Sequence, residues 1–235
     1  MQKKYASLGL MSGTSGDGVD ASLIISNGIN QFEVKKNKYF EYDSYIFKKI
    51  HDLKDKIHNL NDLEKLSDEL KNLERKITLF HAKVINEFKT SNEDFLVGFH
   101  GQTIYHNSDE KISKQLGDGR LLNQLTKKNI IFNFRENDIL NGGEGAPLSP
   151  LFHQLIVIQK KVKLPVCILN IGGISNVTII KEPVSSFNIF SRDIGPGNCL
   201  IDNWVRKNSD KKFDYNGEIA KIGNTNEIIL EQAQE

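Results

Sequence analysis

Two glycine-and-hydroxyl turns, near opposite ends of this 235-residue sequence, carry the residue types that could handle a phosphate. The first is Ser12-Gly13-Thr14-Ser15-Gly16-Asp17-Gly18, set between an apolar run at Tyr5 to Met11 and another at Val19 to Ser26. Such a turn can present backbone N–H groups and hydroxyls to a polyphosphate. Asp17 and Asp20 could hold a hydrated Mg²⁺, an ion that takes a few carboxylates and keeps its waters. The turn lacks the GxxxxGK[ST] pattern of a P-loop, and by itself it is equally well a plain hairpin.

The second turn follows the strand-like run Val166 to Leu169, where Asn170 and Gly172-Gly173 lead into Val177 to Ile180. Paired glycines there predict a tight hairpin, with φ > 0 and close approach to a ligand open to them. A further run, Phe187 to Phe190, leads to Asp193, then Gly195-Pro196-Gly197-Asn198 and a helix-like stretch from Cys199 to Val205. A carboxylate at a strand end beside a helix N-terminus suits the handling of an oxyanion. Asp193 taken alone is equally well a helix cap.

The elements that must position these turns alternate between strand and helix patterns. Phe32 to Tyr42 predicts a third strand, completing an antiparallel meander at the N-terminus. Residues 62 to 89 give the clearest helix, with Leu63, Leu66, Leu70, Leu73, Ile77, Phe80, Val84 and Phe88 on one stripe. Asn61 and Glu64 form a loose capping box at its start, and His81 lies off the stripe, on the solvated side. Phe95 to Phe99 predicts a short buried strand ending in His100-Gly101-Gln102-Thr103, where α/β folds place chemistry. A helix within Gln115 to Asn129 and a strand at Ile130 to Phe134 follow, then Arg135 and Asp138. Arg135 could grip a carboxylate with two parallel bonds. The Gly/Pro-rich loop from Gly142 to Pro150 reads as a wall around a ligand or as a connection between domains. Helices at Phe152 to Gln159 and Glu227 to Glu235 complete the pattern, with a boundary near residue 160.

Composition excludes several classes. Charged residues are 26% and hydrophobic ones 38%, ordinary for a globular chain. A net charge of +1 gives no electrostatic case for nucleic acid or an anionic membrane. Two cysteines, Cys167 and Cys199, cannot make a disulfide framework and read as small core residues in a reducing cytosol. The N-terminus is too short in apolar residues for a signal peptide, so a cytoplasmic location is expected.

The motifs taken together resemble one family. GLMSGTSGDGVDA (Gly9 to Ala21), HGQT (His100 to Thr103), QLGDG (Gln115 to Gly119), the Phe134 to His153 segment, LNIGGISNVT (Leu169 to Thr178) and DIGPGN..ID.W (Asp193 to Trp204) occur in its order. The family is anhydro-N-acetylmuramic acid kinase, within the sugar kinase, Hsp70 and actin superfamily. The resemblance implies an α/β fold of two RNase H-like (actin/hexokinase-type) domains with mixed sheets. The first would span 1–160, and 161–235 would begin a second, incomplete one. It implies ATP and Mg²⁺, and hydrolytic opening of 1,6-anhydro-N-acetylmuramic acid with phosphorylation of O6. Asp193 matches the family's general base, which activates water against the anomeric carbon. Gly13, Thr14, Ser15, Gly16, Asp17, Gly18, Val19 and Asp20 match its ATP-binding turn, and Gly172, Gly173 and Asn176 its second phosphate hairpin. His100, Gln102, Arg135, Asp138, Gly145 and Pro147 would line the sugar pocket. Family members commonly dimerise, which allows a homodimer.

Three departures qualify the resemblance. Gly16 stands where the family has a larger apolar residue, which predicts a looser hairpin. Asn133 replaces an Asp and would alter a supporting contact. The family continues for a good third more of its length, including the Gly-rich segment that grips adenosine. The alternatives are a non-catalytic anhydrosugar-binding remnant and a half-kinase completed by a separate C-terminal chain. An RNase H-like nuclease fails for want of a clustered acidic site and a basic surface.

Overall fold

The computed structural model describes residues 3–89, 94–107, 109–182 and 189–234, and the chain is α/β throughout them. Three antiparallel strands open it: β1 (Tyr5–Ser12), β2 (Gly18–Ser26) and β3 (Phe32–Glu41). Leu8 and Leu10 on β1 and Val19, Ala21 and Leu23 on β2 are buried in the period-two pattern of a sheet with one covered face. The covering helices are α1 (Ser44–Lys54), α2 (Leu60–Lys65) and α3 (Ser67–Asn86).

β4 (Leu96–Asn107) runs parallel to β1 and is shared between two further strands. Its second half pairs antiparallel with β5 (Ile112–Leu116), and its first half pairs parallel with β6 (Ile130–Phe132). The order β3-β2-β1-β4-β5, with β6 also on β4, makes a mixed six-stranded sheet. α4 (Gly119–Thr126) packs on α3, and α5 (Glu136–Leu140) leads into the Gly/Pro-rich loop. One apolar cluster joins Leu8, Val19, Val97 and Phe99 of the sheet to Ile50, Leu53, Ile77, Ile85 and Leu122 of the helices.

α6 (Pro150–Lys160) bridges to a separate three-stranded sheet, β7 (Val166–Ile171), β8 (Ile174–Ile180) and β9 (Ile189–Pro196), all antiparallel. At one end of the helix, the Gln159 side-chain amide bonds both the N–H and the carbonyl of Phe32 at 2.9 Å. At the other, His153 Nδ1 meets Thr178 Oγ1 at 2.8 Å. α7 (Cys199–Asn208), α8 (Glu218–Ile222) and α9 (Glu227–Gln234) follow. No described helix is long and apolar enough to cross a membrane.

Several expectations change. The long helix is broken at Leu66, and its first piece is capped by Asn59, which accepts from Asp62 N, not by an Asn61 box. His81 is fully buried, not solvated: Nδ1 bonds the Ile77 carbonyl at 2.8 Å and the ring stacks edge-on to Phe99. A polar handle in the core needs such a partner, and His81 finds it one turn back along its own helix. α1 has no apolar run long enough to announce it; Asp43 starts it by accepting from Ile46 N at 2.8 Å. β4 continues to Asn107, so His100 to Thr103 sit inside a strand, where Gly101 at φ +74° interrupts the regular pleat. The predicted strand to Phe134 ends at Phe132, since Asn133 turns the chain at φ +63°. Cys167 is exposed and Cys199 half-buried, so neither is a core residue. Phe187 and Asn188 of the predicted run before Asp193, and Glu235 of the last helix, lie outside the described residues.

Candidate active site

The first hairpin, residues 13–17, is a tight turn closed by Gly16 N donating to Gly13 O at 3.2 Å. Ser15 Oγ donates to Asp17 at 2.6 Å, and burial, then the charge of Asp17, raises the Tyr39 hydroxyl above its ordinary range. Gly16 is held at φ +64°, and a Cβ there would stand 2.8 Å from Ile50 Cγ2 of α1. The missing side chain therefore lets α1 close onto the hairpin, the reverse of the looser turn that the sequence predicts. Lys54, one helical turn beyond Ile50, donates from Nζ to the Thr14 carbonyl. Burial and the charge of Arg206 push the Lys54 ammonium down to about 8.

Gln102 supports the same turn from β4. It is fully buried, and its Nε2 donates to Gly13 O at 2.8 Å. Its Oε1 is buried with no hydrogen-bond partner among the described residues. Asp20 lies next along β2, and burial together with the charge of Asp17 raises its carboxyl above the ordinary range.

The second hairpin meets the first. Neither Gly172 nor Gly173 has positive φ, so the conformational reason for glycine does not apply. Close approach does: a Cβ on Gly173 would collide with Thr14 Oγ1, and one on Gly197 with the Gly172 carbonyl. At the start of α7, the amides of Gly197 and Cys199 donate to Gly173 O and that of Asn198 to Gly172 O, at 2.7–3.2 Å. These amides thus lock hairpin to helix and are not directed at a ligand, contrary to the oxyanion role that the sequence suggests. Asn176, one strand position opposite Asp193, keeps a buried Oδ1 without a partner among the described residues. On α7, Asp202 lies within the field of the first hairpin: burial raises its carboxyl, Arg206 opposes this and the charge of Asp17 adds to it.

Asp193 is exposed on β9 and lines a cavity of about 450 Å³ with His106, Asn107, Glu144, Ala146 and Arg192. Its negative charge reaches both Arg135 and His106. His106 bonds Ser113 Oγ through Nδ1 at 3.0 Å; burial and Arg135 lower it, with Asp193 and Glu144 opposing.

None of the residues expected to line a sugar pocket lines that cavity. Arg135 donates from Nε and Nη2 to His100 Nε2, at 3.0 and 2.9 Å, and from Nη1 to the Gly145 carbonyl. Since Nε2 accepts, His100 carries its proton on Nδ1 and donates to Gly101 O at 2.8 Å. Burial and the Arg135 charge bring His100 down to about 4, so it is neutral at physiological pH. Asp138 accepts from Gly145 N at 2.8 Å, and its carbonyl accepts from Gly143 N. Arg135 and Asp138 thus pin the loop whose Glu144 and Ala146 face the cavity, and Pro147 follows on a cis bond. Asn133 Nδ2 donates to Glu136, a contact that an Asp at this position could not make.

The QLGDG motif is structural. Asp118 caps α4 by accepting from Arg120 N and Leu121 N at 2.9 Å, while Gly117 and Gly119 make room for the Phe99 and Phe132 rings. Sequence reasoning missed His106, Arg192, His51, Lys54 and Arg206, and gave no role to Glu144 and Asp202, which stand in its motifs. For His106 a signal existed, since it stands six residues after His100 in one strand. Among the described residues no group of three or more His, Cys, Asp or Glu is placed to hold a metal. Asp17 and Asp20 are a pair, which suits an ion that keeps most of its waters.

A sequence profile described as "Anhydro-N-acetylmuramic acid kinase" matches residues 5–235. The protein of that name from Pelagibacter ubique (strain HTCC1062) is 54% identical over 239 residues, covering 99% of this chain and 62% of the relative. Its namesake from Gluconobacter oxydans (strain 621H) is 37% identical, covering 96% of this chain and 62% of the relative. That from Rhizobium etli is 36% identical, with 92% and 59% covered. The chain spans about three-fifths of the length of these curated relatives.

Proposed function

The chain belongs to the anhydro-N-acetylmuramic acid kinase family, and from that premise we propose that it acts in the ATP-dependent opening and phosphorylation of 1,6-anhydro-N-acetylmuramic acid. The products are N-acetylmuramate 6-phosphate and ADP, a step of cell-wall recycling. The observation that carries this reading is the contact of the two hairpins at Thr14 and Gly173, with Asp193 lining a sugar-sized cavity from the adjoining sheet.

In this reading Asp193 takes a proton from water as its oxygen attacks the anomeric carbon. The C1–O6 bond breaks, and O6 attacks the γ-phosphorus of ATP as the bond to ADP breaks. Arg135 acts at one remove: it keeps His100 in the Nδ1–H form and fixes the loop carrying Glu144 and Ala146 against the sugar. Gln102 Oε1 and Asn176 Oδ1, buried acceptors without partners among the described residues, are suited to ligand donors. Backbone and hydroxyl groups of residues 13–16 would hold the phosphates, and Gly172 and Gly173 would close over them. When bound, Mg²⁺ would neutralise charge on the phosphates. Asp17 and Asp20 are the carboxylates to hold it, and the burial and Asp17 charge that raise Asp20 suit a cation beside them.

We assign the two sheets to two RNase H-like domains meeting near residues 160 and 161. The antiparallel β3-β2-β1 followed by parallel β4 and β6 supports this for the first. A cytoplasmic location follows from an intracellular sugar and nucleotide, and a homodimer is compatible with the reading. No specific observation favours the non-catalytic remnant.

Incubating the purified chain with Mg-ATP, with and without the anhydrosugar, tests the proposal. ADP together with a sugar phosphate of the mass of N-acetylmuramate 6-phosphate, formed only when the sugar is present, is expected. A folded chain that forms no sugar phosphate would overturn it.

A further inference from the structure

Two cations bear on the first hairpin that the reaction scheme above does not use: Lys54, bonded to it directly, and Arg206, whose charge reaches Lys54. Lys54 ends α1, on the six-stranded sheet, and its Nζ donates to the Thr14 carbonyl. Arg206 lies in the last turn of α7, beyond the three-stranded sheet, and its charge is felt at both Lys54 and His51. Facing them are Asp17 of the hairpin and Asp202 of α7. His51 is held neutral by burial and by these two cations, with a value lowered to about 4, and its Nε2 has no partner among the described residues.

Two cations held close together repel, and a lysine partly withdrawn from water resists its own charge. The arrangement becomes favourable when an anion enters between them. A carbonyl is a weak partner for an ammonium, and a phosphate oxygen at the same turn is a far stronger one. Gly16 lacks the side chain that would stand against Ile50, so α1 and its Lys54 lie close to the turn where the anion would bind.

We propose that Lys54, aided by Arg206, is a phosphate-contacting residue: on nucleotide binding its ammonium leaves the Thr14 carbonyl for an oxygen of the triphosphate. The inference rests on the kinase reading for the identity of the anion, but the chemistry it requires is that of any triphosphate at this hairpin. Lys54 thereby couples the two sheets, since the same anion also feels the charge of Arg206 on α7.

Calorimetric titration of Mg-ATP and of inorganic tripolyphosphate into the chain tests this, using wild type, Lys54→Met, Lys54→Arg and Arg206→Met. Lys54→Met is expected to weaken both ligands at least about tenfold at neutral pH, and Lys54→Arg to stay within about threefold of wild type. Arg206→Met is expected to weaken both as well. A lysine that titrates near 8 in the free protein loses its charge above that pH, so wild-type affinity should fall about tenfold per pH unit there. Lys54→Arg should show no such fall, a difference that a merely structural staple would not produce. Lys54→Met binding both ligands as wild type does, or wild type binding neither, would overturn the inference. Sugar-dependent ADP release by Lys54→Met at the wild-type ATP requirement would overturn it while leaving the kinase reading intact. Lysine-dependent triphosphate binding without any sugar phosphate would do the opposite.

Discussion

The two sheets of this protein are made from similar strands but differ in what covers them. On the six-stranded sheet, Leu8, Val19 and Val97 are wholly buried beneath α1, α3 and α4. On the three-stranded sheet, Leu169 is 54% exposed, Ile171 59% and Phe190 50%, with α6 and α7 as the helices beside it. The hydrophobic driving force follows buried apolar area, so the first sheet carries the stability. The second carries the residue proposed as base, Asp193, on an exposed strand beside a cavity. The contrast teaches that positioning here comes from contacts across the junction of the sheets, Thr14 against Gly173 and Gln159 on Phe32, with the charge of Arg206 reaching Lys54.

Mutations can sharpen that contrast. The largest effect is expected at the buried core of the first sheet: Leu122→Ala should cost about 2–5 kcal/mol in denaturant unfolding. His81 should impose an acid limit on the same region. Its native value is lowered to about 4 from 6.5, chiefly by burial, so the unfolded chain takes up a proton that the native one refuses. Stability should therefore fall as pH drops from about 6.5 to about 4, by up to about 3 kcal/mol from this group. His81→Gln, which can keep a bond to the Ile77 carbonyl without titrating, should flatten that part of the pH–stability curve.

At the junction the readout should change from stability to binding. Gly173→Ala places a Cβ against Thr14 Oγ1 and should weaken ATP at least about tenfold, or about 1.4 kcal/mol. Thermal unfolding of the same variant should shift little. The smallest effect belongs to the open sheet: Leu169→Ala should change stability by no more than about 0.5 kcal/mol. A loss comparable to that at Leu122 would break the comparison.

Much of the first sheet was legible in the sequence because alternation and turn glycines are local signals. The meander β1-β2-β3, the stripe of α3 and both hairpins follow from spacing alone. α1 was not, because Ile46, Ile50 and Leu53 make only a short stripe among lysines, and its start depends on an Asp43 cap. β5 was hidden for a similar reason: Ile112 to Leu116 alternates weakly and is held by the second half of β4. At the site, motif residues were legible but their tasks were not. Arg135 and Asp138 read as substrate groups, whereas their hydrogen bonds run to His100 and the Gly145 backbone. Lys54 and Arg206 belong to no motif, since only the fold brings the charge of one to bear on the other, 152 positions away.

The central claim is that Asp193 activates water at the cavity between the sheets, and its most direct test is the rate of sugar-dependent ADP formation by Asp193→Asn at saturating sugar. A fall of about 10²–10⁴-fold is expected, the usual contribution of a general base, with sugar affinity little changed. Turnover by Asp193→Asn at the wild-type rate would contradict it.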